Sequence, residues 1–333
     1  MEKHLASTLV CGTGYWGKNH VRNFFELKAL FGIYDHDESR ALHLAKTYPC
    51  HVFKSYEDAL NHPEIDNVVI ASPAESHYEL AKQAILAKKH VLVEKPLALK
   101  TEHAQELIEL AQSYQVTLMV GHLLKYHPCI QSLKNLLDDG TLGKLEYIYS
   151  NRLNLGKIRT KENILWSFAP HDISLMLWFT DSMPLQVNVM GGSYLQPNIA
   201  DTTISSFVFP NGVRGHIYVS WLHPFKEQRL VLVGQKKMVV FDDTAETTQK
   251  LVLYDKNVDF IQGEYVAQKP KGEAIAYNHN LEPLKEECLH FLESINTKST
   301  PLTDGQEGLN VLKVLHSCQN SLEMNGQAVQ VKV

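Results

Sequence analysis

Short apolar segments alternate with amphipathic helical patterns through the first third of the chain. The predicted strands are residues 8–11, 32–35, 51–53, 67–71, 90–94 and 117–120, and helical periodicity fills most of the intervals between them. Regular alternation of this kind is typical of a parallel sheet that is covered by helices on both faces. The sequence therefore predicts an α/β domain over residues 1–122.

A glycine-rich turn follows the first of these strands. The segment CGTGYWG has the spacing G-x-G-x-x-G directly before a helical pattern, and Asp35 ends the second strand. Glycines in this spacing let a pyrophosphate approach the free N–H groups of the helix start. Asp35 is expected to accept hydrogen bonds from the ribose hydroxyls of NAD and to repel the extra phosphate of NADP, although His36 and Arg40 lie nearby. We predict a Rossmann domain that prefers NAD, with NADP or a purely structural turn as the alternatives. The predicted cofactor contacts of the turn are Gly12, Thr13, Gly14, Tyr15, Trp16 and Gly17.

The pattern changes after His122. Strands dominate residues 145–254, with hairpin turns at Asn211-Gly212 and at residues 235–237. Helical patterns at about residues 281–295 and 306–324 follow, and residues 329–333 are suited to a sheet edge. For residues 123–333 we predict an α+β domain dominated by a large, mostly antiparallel sheet.

Composition argues against several other classes of protein. Apolar residues make up 44% of the chain, charged residues 21%, and the net charge is −5 without a basic block, so a nucleic-acid surface is not expected. No apolar run approaches the roughly 20 residues of a membrane helix, and the apolar part of the N-terminus is too short for a signal peptide. The 5 cysteines are scattered and form no CxxC pair, which favours a reduced, cytoplasmic setting without a metal site.

Three segments resemble the glucose–fructose oxidoreductase / inositol dehydrogenase / MocA (Gfo/Idh/MocA) family: GTGYWG, SPAESHYELAKQAILAKKHVLVEKPLAL and the mixed α+β half. The most specific of them is the EKP motif at residues 94–96, spaced after the P-x-x-x-H of residues 73–77. The resemblance implies an NAD(P)-dependent oxidoreductase that acts on a CH–OH group of a sugar or cyclitol. It also implies that the sheet of the second domain, residues 123–333, is open, that this domain binds the substrate, and that a homodimer or homotetramer forms through the sheet.

Lys95 and His171 are the predicted catalytic residues. Lys95 follows a strand at the carboxyl edge, where ligands bind in parallel sheets, and is expected to hydrogen-bond the substrate hydroxyl and relay its proton. His171 follows Pro170 at a predicted helix start, where the helix dipole favours the neutral imidazole of a general base. The family usually has a carboxylate four residues earlier, whereas this chain has Ser167. The route by which the proton leaves therefore stays open.

Two local features frame Lys95 in the sequence. Ser76 and Glu79 have the spacing of a capping box that would open a helix. Pro96 is expected to fix the exit of the chain from the strand, and a cis bond is one way to do so.

The resemblance places further side chains around the cofactor and the substrate. The predicted cofactor contacts lie in a loop that passes the cofactor, in the EKP motif and at the end of the sixth strand. They are Ser72, Pro73, His77, Glu94, Lys95 and His122.

The predicted substrate contacts are chosen by their chemistry. Arginine forks suit phosphates and amides suit sugar hydroxyls. The substrate candidates are Lys95, Tyr126, Arg152, Asn154, Arg159, Asn163, His171, Lys226 and Arg229. Asp172 is expected either to orient His171 or to serve as a helix-start carboxylate. Trp166 and Trp221 are candidates for stacking, although tryptophans in such domains are more often core residues.

A narrower resemblance concerns NRLNLGKIRTKENILWSFAPHDISLM and SWLHPFKEQR. These segments are similar to a branch of sugar-nucleotide 3-dehydrogenases, which implies NAD-dependent oxidation of the C3 hydroxyl of a UDP-N-acetylhexosamine, on the route to a 3-amino sugar of a surface glycan. The alternatives are the corresponding uronate, another sugar or inositol, and an inactive sugar- or NAD-sensing regulator of the same fold. Retention of both Lys95 and His171 favours an enzyme.

Overall fold

The computed structural model describes residues 7–332 and divides into two compact units. The first unit runs up to Tyr126 and includes Leu281–Leu312, and the second consists of His127–Asn280 and the residues from Lys313 onward. The sequence pattern assigns residues 281–312 to the second domain, whereas the structure groups them with the first unit.

The described residues form strands and helices in the following order. The strands are β1 (Thr8–Cys11), β2 (Leu30–Tyr34), β3 (His51–Val52), β4 (Asn67–Ile70), β5 (His90–Glu94), β6 (Leu118–Gly121), β7 (Leu145–Leu153), β8 (Gln186–Gly192), β9 (Thr202–Val208), β10 (Arg214–Ser220), β11 (Glu227–Gly234), β12 (Lys237–Asp242), β13 (Leu251–Asp255), β14 (Val258–Ile261), β15 (Glu264–Ala267), β16 (Gly272–Ala274) and β17 (Val329–Gln330). The α-helices are α1 (Gly17–Glu26), α2 (Glu38–Ala45), α3 (Tyr56–Asn61), α4 (His77–Leu86), α5 (Thr101–Tyr114), α6 (Pro128–Asp138), α7 (Ile164–Thr180), α8 (Pro283–Thr297) and α9 (Gly305–Glu323).

The first unit contains a six-stranded parallel sheet in the order β3-β2-β1-β4-β5-β6. This is the order of the Rossmann fold, and it confirms the predicted fold class. Every residue of β1 and β4 is buried, because helices cover both faces of the sheet. In the register of the sheet, Cys11 pairs with Ile70, Ile70 with Val93, and Glu94 with Gly121. The segments that follow β1, β4, β5 and β6 therefore emerge along one edge.

Helix α8 belongs to the first unit because its apolar stripe completes that core. Leu284, Cys288 and Phe291 recur at helical spacing and are buried in one cluster with Val21 and Phe24 of α1. Full burial of a leucine or phenylalanine side chain contributes about 1.5–3 kcal/mol. A periodic pattern in the sequence predicts such a stripe but does not tell which sheet it covers.

The second unit is built on a nine-stranded sheet in the order β16-β13-β12-β11-β7-β10-β9-β8-β17. Its pairs are antiparallel except for β7 with β10, and the predicted hairpins β9–β10 and β11–β12 are confirmed. Gly212 has φ +88° in the first of these turns, a conformation that favours glycine. A further small hairpin, β14–β15, was not predicted, because its residues show no clear alternation.

Two predicted helix starts are wrong. Ser76 does not cap α4, because residues 74–76 already form a 3₁₀ turn in which its hydroxyl donates to the carbonyl of Pro73 at 2.8 Å. Helix α7 begins at Ile164, where Asn163 Oδ1 accepts a hydrogen bond from the Trp166 N–H. Pro170 and His171 consequently lie inside a helix, so the expected influence of a helix start on His171 does not apply.

Among residues 7–332, no helix combines the length and the apolar character needed to cross a membrane. Within the same range, the side chains of His, Cys, Asp and Glu nowhere gather in a group of three or more that is suited to hold a metal ion.

One buried and three half-buried histidines make the stability of the fold sensitive to mild acid. Burial lowers the pKa of His77, His90, His216 and His290 below the ordinary value of about 6.5. Unfolding restores the ordinary pKa, so the unfolded chain binds protons that the folded chain does not. The free energy of unfolding is therefore highest, as far as these histidines are concerned, above about pH 6.5, and it decreases as the pH falls.

We therefore expect the melting temperature to decrease between pH 7 and pH 5 in thermal melts, because these four histidines outnumber Glu287, a fully buried carboxyl whose raised pKa acts in the opposite direction. His90→Asn is the matched variant, because an amide oxygen can replace Nδ1, which accepts from the Thr117 N–H at 2.9 Å. Its melting temperature should depend less on pH over this range. A melting temperature that stays constant or rises on acidification would contradict the prediction.

Candidate active site

The glycine-rich loop between β1 and α1 has three glycines in three different environments. Gly12 has φ +92°, and a Cβ added there would lie 2.8 Å from the backbone of Ala71 and Ser72. A Cβ on Gly17 would lie 1.9 Å from the carbonyl oxygen of Gly12. A Cβ on Gly14 meets nothing within 4 Å, so the fold itself does not require glycine there. Open space over a helix start is the arrangement that a pyrophosphate needs, and the loop fits a dinucleotide.

A cleft of about 500 Å³ adjoins this loop. Its lining consists of loop residues and one side of α2, namely Thr13, Gly14, Tyr15, Lys18, Arg40, His43 and Leu44. Tyr15 is 76% exposed, whereas Trp16 packs partly against the core. The predicted loop contacts thus divide into residues that face the cleft and a residue that supports the loop.

Asp35 holds the loop in place. Its Oδ2 accepts hydrogen bonds from the Thr13 N–H at 2.6 Å and from the Thr13 hydroxyl at 2.8 Å. Its Oδ1 accepts from the Asp37 N–H at 2.9 Å and lies 3.5 Å from Arg40 Nη1. Asp35 therefore has a structural task besides its predicted contact with ribose, and it partly neutralises an arginine that would suit a ribose phosphate.

Replacing Asp35 with asparagine should shift the cofactor preference toward NADP. Asparagine can still accept from Thr13, but it removes one of the two carboxylates that contact Arg40, while Asp37 keeps its own contact at 3.3 Å. One charge-assisted contact to a phosphate corresponds to about ten-fold in the ratio of kcat/KM for NADP over NAD. Steady-state kinetics with both cofactors would measure the ratio, and Asp37→Asn, which alters the second partner of Arg40, is the control. An unchanged ratio in Asp35→Asn would contradict the assignment.

Lys95 follows β5 at the carboxyl edge of the parallel sheet and is half-buried. The Lys95–Pro96 peptide bond is cis, the conformation that the sequence analysis named as one way for Pro96 to fix the path of the chain after β5. The backbone N–H of Lys95 donates to Glu94 Oε2 at 3.3 Å, and Glu94 Oε1 lies 2.7 Å from His20 Nε2 of α1. Burial opposes ionisation of Glu94, but the hydrogen bond and charge of His20, together with Lys95, bring its pKa below the ordinary value. Glu94 is thus a largely buried carboxylate whose side chain holds the backbone N–H of Lys95.

Helix α8 supplies a second layer behind Glu94. Cys288 Sγ lies 3.8 Å from Nδ1 of His20. The neighbouring Glu287 is fully buried, and its carboxyl oxygens have no hydrogen-bond partner among residues 7–332. Burial, reinforced by the charge of Glu94, raises the pKa of Glu287 well above its ordinary value, which favours the neutral form of this carboxyl. Neither His20 nor Glu287 was predicted from the sequence, since both are remote from the EKP motif along the chain.

His77 braces two loops of the same edge. It is 1% exposed, and its Nδ1 and Nε2 lie 2.7 Å and 2.9 Å from the carbonyl oxygens of Pro96 and Ser72. Burial lowers its pKa, although the two carbonyls oppose that change. Its contacts are therefore with the protein backbone around the predicted cofactor loop, and a direct contact with the cofactor stays a prediction.

His122 directly follows β6 and is 2% exposed. Its Nδ1 forms a short hydrogen bond with Oε2 of Glu307, whose Oε1 lies 2.8 Å from Lys125 Nζ. Tyr126, predicted to contact substrate, is 6% exposed and its hydroxyl lies 2.9 Å from that of Thr303. Glu307 was missed because it is separated from His122 by 185 residues.

In the second unit, several predicted substrate residues have partners within the fold. Arg152 donates from Nε and Nη2 to Asp172 at 2.8 Å and 3.0 Å, and Ser150 donates to the same carboxylate at 2.7 Å. Asp172 is therefore the partner of Arg152, and the expectation that it orients His171 has no support in these contacts. Ser167 is buried on α7. His171 lies on the same helix, and its catalytic role stays a prediction.

The remaining predicted residues of this unit differ in their surroundings. Asn163 caps α7 and donates from Nδ2 to Gln319 at 2.9 Å. Arg159 lies 3.3 Å from Glu162, and Arg229 lies 2.8 Å from Asp242. Lys226 is exposed and Asn154 is half-buried, so both are accessible to a ligand.

The two tryptophans named as stacking candidates both have hydrogen-bond partners within the fold. Trp221 is fully buried, with Nε1 2.5 Å from Asp201 Oδ1, and so belongs to the core. Trp166 donates from Nε1 to Gln319 at 3.0 Å.

Comparison with known proteins decides the family. A family model described as an oxidoreductase family with an NAD-binding Rossmann fold matches residues 6–122. The model of the GFO/IDH/MocA C-terminal domain matches residues 130–240, so the two matches together span more than half of the chain. The chain belongs to the Gfo/Idh/MocA oxidoreductase family. The predicted family, the enzyme class acting on CH–OH and the cofactor NAD are confirmed.

Relatives of this Gfo/Idh/MocA oxidoreductase include sugar and cyclitol dehydrogenases. A UDP-N-acetylglucosamine 3-dehydrogenase of Acidithiobacillus ferrooxidans is 28% identical over 92% of this chain and 93% of its own length. A myo-inositol 2-dehydrogenase of Thermotoga maritima is 25% identical over 94% of this chain and 95% of its own. A solved structure of the Acidithiobacillus ferrooxidans enzyme superposes with a TM-score of 0.85, 26% identity and coverage of 96% of this chain and 98% of that chain.

Proposed function

We propose that this oxidoreductase uses NAD to oxidise the C3 hydroxyl of a UDP-N-acetylhexosamine to a 3-keto sugar nucleotide. The observation that carries the proposal is the likeness to a UDP-N-acetylglucosamine 3-dehydrogenase, which extends over nearly the whole of both chains in sequence and in structure. A 3-keto sugar nucleotide is a substrate for a transaminase, so the product would supply amino-sugar synthesis for a surface glycan.

The arrangement at the carboxyl edge supports a role for Lys95 in this reaction. NAD, when bound, supplies the hydride acceptor. The glycine-rich loop and Asp35 lie on the same unit as Lys95 and bind the two ends of the adenosine diphosphate portion. Lys95 is half-buried and its backbone N–H donates to Glu94, so its amine can hold the substrate hydroxyl and relay its proton as the hydride leaves. His171 keeps the predicted role of proton acceptor on the strength of the family resemblance.

The decisive experiment is turnover on a panel of substrates. Purified protein is mixed with NAD and with UDP-N-acetylglucosamine, its uronate, free glucose or myo-inositol, and the reduced cofactor is followed by absorbance. We expect turnover of UDP-N-acetylglucosamine and a product that reacts as a ketone at C3. Turnover of inositol or glucose without any UDP-sugar would refute the sugar-nucleotide assignment. NADH binding without turnover of any compound would favour a sensing regulator.

We also propose that the protein is a homodimer or homotetramer that forms through the second unit's sheet. Met190 and Ile204 are cross-strand partners on β8 and β9, and they are 68% and 55% exposed. Apolar side chains in register on a sheet face are typical of an interface. Light scattering should give a mass of two or four chains, and Ile204→Glu should reduce it. A monomeric wild-type protein would contradict the proposal.

A further inference from the structure

A buried charged cluster lies where the chain leaves β6. Glu307, on the first turn of α9, places its two carboxylate oxygens against His122 Nδ1 and Lys125 Nζ. The side chains of His122, Lys125 and Glu307 are only 2%, 3% and 14% exposed. Burying three ionisable groups is unfavourable unless their contacts are well made, so a cluster of this kind at the end of one strand suggests a functional role.

The start of α9 is fixed firmly beside β6. The Val120 N–H donates to the carbonyl of Thr303 at 2.7 Å, and Met119 forms a β-bridge with Asp304. Asp304 Oδ1 then accepts from the Glu307 N–H at 2.8 Å, as in an N-terminal cap. The carboxylate of Glu307 therefore lies near the positive end of a helix whose position relative to the sheet is set by backbone hydrogen bonds.

The contacts of Glu307 determine which nitrogen of His122 carries hydrogen. Burial opposes ionisation of Glu307, but the charge and hydrogen bond of His122 and of Lys125 lower its pKa to about 2, so it is a carboxylate at working pH. A carboxylate only accepts hydrogen bonds, and Nδ1 of His122 must therefore donate. In the neutral imidazole, Nε2 is then left as an acceptor. Nε2 has no hydrogen-bond partner among residues 7–332.

We infer that Glu307 is a positioning residue for the cofactor: it holds the His122 ring in the tautomer whose Nε2 accepts a hydrogen bond from the carboxamide N–H of nicotinamide. His122 follows β6 at the edge from which Lys95 follows β5, and Glu94 and Gly121 are register partners there. The inference rests on the proposed place of His122 beside the nicotinamide. Helix α9 lies outside the motifs of the first 122 residues, and Glu307 gives it a part in cofactor binding.

The test is a double-mutant cycle on NADH binding, measured by fluorescence titration without any sugar. Glu307→Gln keeps the shape of the side chain, but its single amide oxygen cannot accept from His122 and Lys125 together. We expect the Kd for NADH to rise about ten-fold, the value of one charge-assisted hydrogen bond. His122→Leu should weaken binding by a similar factor. In the His122→Leu background, Glu307→Gln should add little, because Glu307 acts through His122.

Controls separate this role from a general loss of structure. Glu323→Gln removes a charge from the exposed end of α9 and should leave the Kd unchanged. Thermal melts identify any variant that is not folded at the temperature of the titration. In turnover assays Glu307→Gln should raise the KM for NAD while kcat at saturating NAD and the KM for the sugar change little. A purely structural role would instead lower kcat and leave the effects of Glu307→Gln and His122→Leu additive.

Either additive effects or an unchanged Kd in a folded Glu307→Gln protein would overturn the inference. Because the titration contains no sugar, failure of the proposed substrate assignment would leave its result intact. The two proposals can therefore fail separately.

Discussion

Replacing Lys95 with methionine is expected to reduce turnover by at least about one-hundred-fold, the lower range for a positioned proton-transfer group. The side chain is half-buried at the carboxyl edge, and the backbone N–H of Lys95 is held by Glu94 Oε2 at 3.3 Å. Methionine is similar in length and retains apolar contacts of the stem, but it has no amine to hold the substrate hydroxyl. The loss should therefore concern the chemical step, and the Kd for NADH should stay close to that of the wild type.

Lys100→Met is the matched control, since Lys100 is exposed just before α5. It should turn over like the wild type. Turnover of Lys95→Met at a near-normal rate would show that the amine takes no part in the reaction. If instead Lys95→Met loses NADH binding to the same degree as turnover, the lysine serves the cofactor and not the hydroxyl. His171→Asn, assayed in parallel over a range of pH, would test the second predicted proton acceptor.

Replacing Gly14 with valine is expected to weaken NADH binding by at least about ten-fold while the melting temperature stays near that of the wild type. A Cβ at this position meets nothing within 4 Å in the protein, so the fold accommodates the side chain. A bound pyrophosphate would use the same space, and overfilling a packed site costs about 1–3 kcal/mol. Fluorescence titration with NADH and thermal melts measure the two effects separately.

The neighbouring glycine provides the opposite control. Gly12→Ala introduces a side chain at φ +92° and within 2.8 Å of the backbone that follows β4, so it should lower the melting temperature directly. A normal NADH affinity in Gly14→Val would mean that the cofactor does not approach the loop at this residue. Equal losses of stability in both variants would mean that Gly14 serves the fold.

Local patterns in the sequence were sufficient for most of the fold. Alternating apolar segments and the G-x-G-x-x-G turn predicted the parallel sheet, because each βα unit has its own hydrophobic period and its own turn residues. The hairpin at Asn211-Gly212 was predicted for the same reason, since a turn with positive φ strongly limits the residues that can form it. The EKP motif likewise placed Lys95 after a strand, and the structure has it there.

The sequence failed where contacts join distant segments or where tertiary packing overrides a local signal. Nothing near Glu307 indicates that it meets His122, although Asp304 and Glu307 have the spacing of a helix cap. The proline before His171 favours a helix start, yet Asn163 provides a better cap and apolar residues extend α7 through Pro170. Likewise, nothing in the sequence indicates that Arg152, a predicted substrate residue, pairs with Asp172.

The return of α8 and the beginning of α9 to the first unit bears on how the chain is made and how it can be divided. The apolar residues of α1 that pack with α8 are synthesised more than two hundred residues before their partners. Phe24, for example, is buried in the same cluster as Phe291. During that interval the nascent nucleotide-binding unit has an uncovered patch, and a fragment that ends at Tyr126 would keep that patch permanently. A dissected, autonomous version of this unit would have to join residues 7–126 to residues 281–312 and bypass the intervening sequence.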